Sequence, residues 1–464
     1  MEERVFVDQL PNGVRVLTEE IPHVRSASIG IWVGAGSVHE PPELAGICHA
    51  LEHMLFKGTP TRSARRIAEI LDAVGGQLNA FTDKEFTCYH ARVLSEDLPL
   101  AIGLLGDMLR NSLLRATDLR CEKRVILEEI RQLEDEPDEL VYEILLEQTW
   151  PGHPLGRPVI GTRRSVRSLK RETLVEFLAR HYAANRVLVA TAGNVRHAAV
   201  LDQTAEWLGD LTPSADPGAL PAPVAVAFQR RLRRDTEQAH LCLGAPAYSQ
   251  TDPERYPMAV LDVLLGGSSS SRLFQEVREK RGLAYAVGSC LLSFHAGGVL
   301  AVYAGTNPES ADQVLALIRQ ECDRVLGEGV TDREVAQARS QLKGSMLLAL
   351  EGTDSRMSRI ARSYLYFGRV LPIEEIVRDI DRVTVDDVNR VARAVLPAAK
   401  ASVVVLGPGV RWAARRSGPG GRCADRRAVE RAQGDEEVHD GKAHTRRIPH
   451  DHSGVCLQGF PQSD

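Results

Sequence analysis

No C-x-x-C pair occurs in this chain: its eight cysteines, at positions 48, 88, 121, 242, 290, 322, 423 and 456, are scattered. That spacing excludes both a zinc knuckle and a disulfide framework. There is no basic surplus either. A net charge of -5 leaves no electrostatic footprint for nucleic acid. No stretch approaches 18 uninterrupted apolar residues, and residues 1–8 lack the apolar core of a secretory signal. The expectation is a cytoplasmic protein with no membrane and no nucleic-acid partner. The glycine- and serine-rich residues 266–271 lack the Gly-Lys-Ser/Thr ending of a phosphate loop and read as a mobile loop lining a cavity. What is present is ordinary for a folded chain: 464 residues, 43% hydrophobic and 26% charged, long enough for two or more domains.

Against that background one stretch stands out, Ile47 to Phe56, with His49, Glu52 and His53. On a helix these stand at i, i+3 and i+4, so their side chains leave one face and can converge on one ion. Two imidazoles suit Zn²⁺, and a carboxylate just before the second histidine can reach a water on that ion without ligating it. This is H-x-x-E-H, the inverted form of the H-E-x-x-H zinc-peptidase motif. A metallopeptidase is the first hypothesis. Cys48 beside His49 points about 100° away on the helix and reads as a small buried hydrophobe.

A third ligand is sought on another element. Residues 117–136 form a strong helix opened by Thr117-Asp118 and stopped by Pro137. Its apolar stripe is expected to run through Val125, Ile126, Ile130 and Leu133, with Glu122 and Glu129 on or beside it. A carboxylate directed at a core needs a counter-charge. A metal held by His49 and His53 would supply it, making Glu129 the third ligand and Glu122 its companion. The plainer reading, two glutamates flanking a partly exposed seam, also fits the spacing.

The remainder reads as a duplication. Residues 15–18 and 26–33 form a hairpin-like opening, and residues 77–91 form a two-stranded hairpin. Residues 76–82 read either as an edge strand for a peptide backbone or as an ordinary turn into a strand. The first domain is expected over residues 1–211. A linker follows at 212–225, where proline at 213, 217, 221 and 223 prevents regular structure. A homologous second domain covers 226–409, and residues 410–464 have no apolar period and read as a disordered tail. Aligning the copies puts Met258, Leu261 and Asp262 opposite His49, Glu52 and His53, with Ala336 and Lys343 opposite Glu122 and Glu129. The second half therefore lacks the metal donors, and one zinc per chain is expected.

At this point the chain resembles a known family. Residues 49–53, followed at long interval by Arg124 to Ile130, are similar to the pitrilysin-type (inverzincin) zinc peptidases, and most to the single-chain bacterial branch related to the β subunit of the mitochondrial processing peptidase. The resemblance spans about residues 10–408. It implies a third ligand 76 positions after His53, at Glu129, and an accessory glutamate at Glu122. It implies that Asn79, Ala80 and Phe81 belong to a substrate-pairing edge strand, and that Arg278 and Tyr285 face the zinc from the second half. Glu139 and Glu143 match carboxylates that receive a substrate arginine in processing peptidases, although a solvated charged face explains them as well. The implied fold is α+β: two homologous domains, each a mostly antiparallel sheet packed with helices, arranged as a clam-shell. The implied activity is zinc-dependent endopeptidase action on short or unfolded peptides, with Glu52 as general base, in a homodimer. The alternative is a scaffold subunit of the same fold, as found in relatives that have lost the motif.

Overall fold

The computed structural model describes residues 3–215, 218–397 and 400–408. The tail expected to be disordered lies outside them. In the first half, strands β1 (Val5–Gln9), β2 (Arg15–Glu20), β3 (Ser26–Val33), β4 (Gln77–Thr82), β5 (Thr87–Leu94) and β6 (Val187–Gly193) form one sheet in the order β1-β2-β6-β3-β5-β4. Only the β2–β6 pair is parallel. The expected hairpin of β2 and β3 does not form, because β6 inserts between them. Every residue of β6 is buried, so this apolar strand needs a neighbour on each edge.

The second half repeats this plan with β7 (Gln229–Arg233), β8 (Ala239–Ala247), β9 (Ala284–Ser293), β10 (Gly298–Thr306) and β11 (Ser402–Gly407), ordered β7-β11-β8-β10-β9. Here β11 takes the place of β6, parallel to β7 and antiparallel to β8. The duplication is thus visible in the topology itself.

Helices α1 (Ile47–Leu55), α2 (Ala64–Asp72), α3 (Leu98–Asn111), α4 (Ala116–Asp135) and α5 (Pro137–Thr149) belong to the first half. In α1, Ile47, Cys48, Ala50, Leu51, Met54 and Leu55 are fully buried, so the helix is held on most of its circumference. Its first turn is closed by Glu40, whose carboxylate accepts the backbone N–H groups of Gly46 (2.8 Å) and Cys48 (2.9 Å). These are two of the donors a helix start leaves unsatisfied. In α4 the buried seam is Leu119, Glu122, Ile126 and Ile130. Val125, expected on the stripe, is 43% exposed: it stands one position, about 100°, from Ile126 and falls off the seam.

The halves exchange helices. Val141, Leu145 and Leu146 of α5 pack against Cys242, Cys290, Tyr303 and Val404 of the second sheet. Reciprocally, Met357, Ile360 and Ala361 of the helix Thr353–Phe367 pack against Leu17, Trp32, Leu188 and Ala190 of the first sheet. Two glycines permit this. A Cβ on Gly244 would lie 2.6 Å from a Leu145 methyl, and one on Gly30 would lie 2.8 Å from the Met357 sulfur. Each buried aliphatic side chain contributes roughly 1.5–3 kcal/mol, so the exchange joins the halves firmly.

Candidate metal centre

The helical spacing of α1 brings the His49 and His53 rings to 4.6 Å between centroids. From α4, Oε2 of Glu129 reaches 3.9 Å from Nε2 of His49 and 3.6 Å from Nε2 of His53. One donor atom from each residue lies within 4.8 Å of the others, and this is the one such trio among the described residues. A tetrahedral zinc with bonds of about 2.0–2.2 Å sets its donors about 3.3–3.5 Å apart. The two separations to Glu129 are a few tenths of an ångström wider, and the two imidazoles and one carboxylate are a zinc donor set.

Behind the trio stands a charged relay. Glu122, 6% exposed, places Oε2 at 3.1 Å from Nδ1 of His53 and Oε1 at 2.9 Å from Nζ of Lys57. A proton on Nδ1 then points at the carboxylate, which aims Nε2 at Glu129. Burial raises the Glu122 pKa, but the hydrogen bonds from His53 and Lys57 outweigh it and the net shift is down. For His53, burial lowers the pKa; the bond to Glu122 and the charges of Glu129 and Glu52 prevail, and the net shift is up. Glu52 is 7% exposed, and the Thr82 hydroxyl donates to its Oε2 at 2.5 Å.

Residues 15–163 match the family described as Insulinase (Peptidase family M16), and residues 168–342 match the Peptidase M16 inactive domain. The chain belongs to peptidase family M16. Among its M16 relatives, a protein named uncharacterized zinc protease from Streptomyces coelicolor is 46% identical, over 86% of this chain and 88% of that one. The uncharacterized zinc protease YmxG of Bacillus subtilis is 41% identical, over 82% and 93%. Two solved structures share the fold. The M16 inactive domain from Pseudomonas fluorescens has a TM-score of 0.82 at 22% identity, covering 88% of this chain and 98% of its own. A protease from Helicobacter pylori has a TM-score of 0.82 at 21% identity, covering 88% and 100%.

The second M16 half is built without the donors. Met258 and Leu261 are buried hydrophobes, Asp262 accepts from the Ser289 hydroxyl at 2.6 Å, and Lys343 pairs with Asp381. Burial pushes the Asp262 carboxyl up to about 6, against that bond. Arg278 lies on the π-helical turn Phe274–Glu279, its guanidinium 4.8 Å from the centres of both the Phe274 and Tyr285 rings. The structure thus stacks Arg278 on Tyr285, which is 66% exposed near the start of β9.

Asn79, Ala80 and Phe81 lie on β4, the edge of the first sheet. The Asn79 side chain accepts the Ala80 N–H at 2.9 Å, and Phe81 meets Trp32 edge-on at 5.5 Å. Glu139 and Glu143 lie on the exchanged helix α5. Glu143 is 3.7 Å from the buried Lys84 ammonium, which also donates to the Arg157 carbonyl at 2.6 Å. His153 accepts the Leu155 N–H and reaches the Pro221 carbonyl, a loop role. Among the described residues no helix is long and apolar enough to cross a membrane.

Sequence reasoning overlooks Lys57, Thr82, Lys84 and Glu40. Lys57 had a local signal, standing one turn past His53. Glu40 caps the helix that starts a few residues later, while Thr82 and Lys84 lie at and just past a strand end and find their partners far along the chain.

Proposed function

We propose that this chain is a zinc endopeptidase acting on short or unfolded peptides, with one zinc held by His49, His53 and Glu129. The observation that carries the reading is the convergence of three donor side chains from α1 and α4 beside the buried carboxylate of Glu52. The relatives' zinc-protease names support it. When bound, zinc supplies a Lewis acid that polarises the peptide carbonyl and makes water a stronger acid.

The chain's own residues do the rest. Glu52 takes the proton of the attacking water and passes one to the leaving amine. Lys57 and Glu122 hold the His53 tautomer. The open edge of β4 pairs with an extended peptide, a conformation that short or unfolded chains adopt readily. In this reading Arg278 holds the substrate chain and Tyr285 donates to the developing oxyanion, with the stacked guanidinium fixing the phenol ring. Glu139, helped by Glu143, receives an arginine near the scissile bond. A homodimer working in the cytoplasm completes the proposal.

The test is direct. Zinc-loaded protein is incubated with a randomised peptide mixture and the products are sequenced. Glu52→Gln is expected to retain zinc and to lose at least about a hundredfold in rate. Cleavage at near wild-type rate by that variant would contradict the assignment of the base.

A further inference from the structure

Thr82 is the last residue of β4, and its hydroxyl donates to Oε2 of Glu52. Little of Glu52 reaches solvent, so the hydroxyl supplies one hydrogen-bond donor where few waters can approach. A bond to one carboxylate oxygen fixes the rotation of the carboxylate plane, and therefore where the other oxygen faces. Thr82 is itself held at a braced corner. It pairs with Thr87, whose hydroxyl donates to the Ala35 carbonyl at 2.8 Å. Beyond it, the N–H groups of Ser37 and Val38 donate to the carbonyls of Asp83 and Lys84 at 3.2 and 2.9 Å.

We propose that Thr82 is a positioning residue for the base Glu52, and that it ties the base's orientation to the strand on which the peptide lies. Asn79, Ala80 and Phe81 precede it on the same strand, so a peptide that settles on β4 also settles the donor that aims Glu52. The inference rests on the endopeptidase reading above. It also explains why a buried general base is placed against a strand end instead of against the apolar core around α1.

Wild type, Thr82→Val, Thr82→Ser and Glu52→Gln are compared, zinc-loaded, on one fluorogenic peptide. Zinc content is measured by mass spectrometry, and the affinity of each zinc-free protein for the same peptide by fluorescence anisotropy. Valine keeps the shape of threonine without the donor; serine keeps the donor. Thr82→Val is expected to lose about tenfold or more in kcat, with KM, zinc content and peptide affinity within about twofold of wild type, and Thr82→Ser to recover most of the loss. Should valine unfold the protein, Thr82→Ala is read in the same way. A valine variant with wild-type kcat, one whose loss lies in KM and peptide affinity alone, or a serine variant as slow as valine overturns the proposal. If wild type is no faster than Glu52→Gln, the endopeptidase reading falls and takes this inference with it. That result is distinct from an active wild type that Thr82→Val matches.

Discussion

The Lys57 ammonium lies 2.9 Å from one oxygen of Glu122, whose other oxygen lies 3.1 Å from Nδ1 of His53. A single carboxylate thus joins a surface-reaching cation to a candidate metal ligand. Partners that orient a ligating histidine typically change metal affinity about 10–100-fold when removed. Glu122→Gln is expected to weaken zinc by a factor in that range, and Lys57→Met by less, since the carboxylate remains. Competition with a zinc-binding dye measures both. Equal affinities in all three proteins would show the relay to be idle.

The raised pKa of His53 predicts opposite pH responses of the metal-free and zinc-loaded forms. Its unfolded value is near 6.5 and its folded value is higher. Proton binding therefore stabilises the metal-free fold fully below about 6.5 and stops doing so as pH rises through the folded value. Zinc needs the neutral ring, so its affinity rises over the same window. Melting temperatures of both forms between pH 5 and 9 check this. A zinc-induced gain in melting temperature that does not grow with pH would refute it.

Glu40 gives a second, separable titration. Burial pushes its carboxyl up to about 7 from an ordinary 4.5, against the N–H groups of Cys48 and Gly46. For a raised acid the stabilising contribution is complete below about 4.5 and is lost as pH climbs through about 7, a change on the order of 3 kcal/mol. Glu40→Gln cannot titrate, so its stability is expected to lack this fall. Denaturant unfolding of the zinc-free proteins at pH 5 and pH 8 decides the matter, and identical pH dependence in the two proteins would discard it.

Much of the centre is legible in the chain because its parts are local. His49, Glu52 and His53 share one helix face, and Glu129 betrays itself as a carboxylate one position from a buried stripe. Val125 is misread because stripe edges on a helix are only about 100° apart. The β2–β3 hairpin is misread because nothing near residue 20 announces a strand arriving from residue 187. Val141, Leu145 and Leu146 of α5 are apolar, but nothing in the sequence says that the second half's sheet will cover them. Polar partners such as Thr82 and Lys84 stay hidden because a hydroxyl or an ammonium has meaning only once the fold supplies its neighbour.

The helix exchange makes a mechanical prediction. Leu145 belongs to the first half by sequence but is buried in the second half's core, against Gly244. Leu145→Ala should remove about 2–5 kcal/mol. Because the exchanged helix is shared, the loss is expected in one cooperative unfolding transition of both halves. A variant that melts in two steps, the second half first, would show that the halves are independent.

Glu139 and Glu143 share α5 but not the same surroundings. If both received a substrate arginine equally, they would be equivalent, but Glu143 already faces the Lys84 ammonium at 3.7 Å and Glu139 is exposed. A guanidinium can reach the exposed Glu139 from solvent, whereas Glu143 is half-buried against Lys84. Glu139→Lys is therefore expected to slow cleavage of arginine-containing peptides more than Glu143→Gln does, and to leave arginine-free peptides within about twofold, since an exposed charge acts chiefly through direct pairing. Matched peptide pairs with arginine or norleucine near the scissile bond measure the ratio. An equal loss on both members of each pair would mean that Glu139 belongs to a solvated face and takes no part in selection.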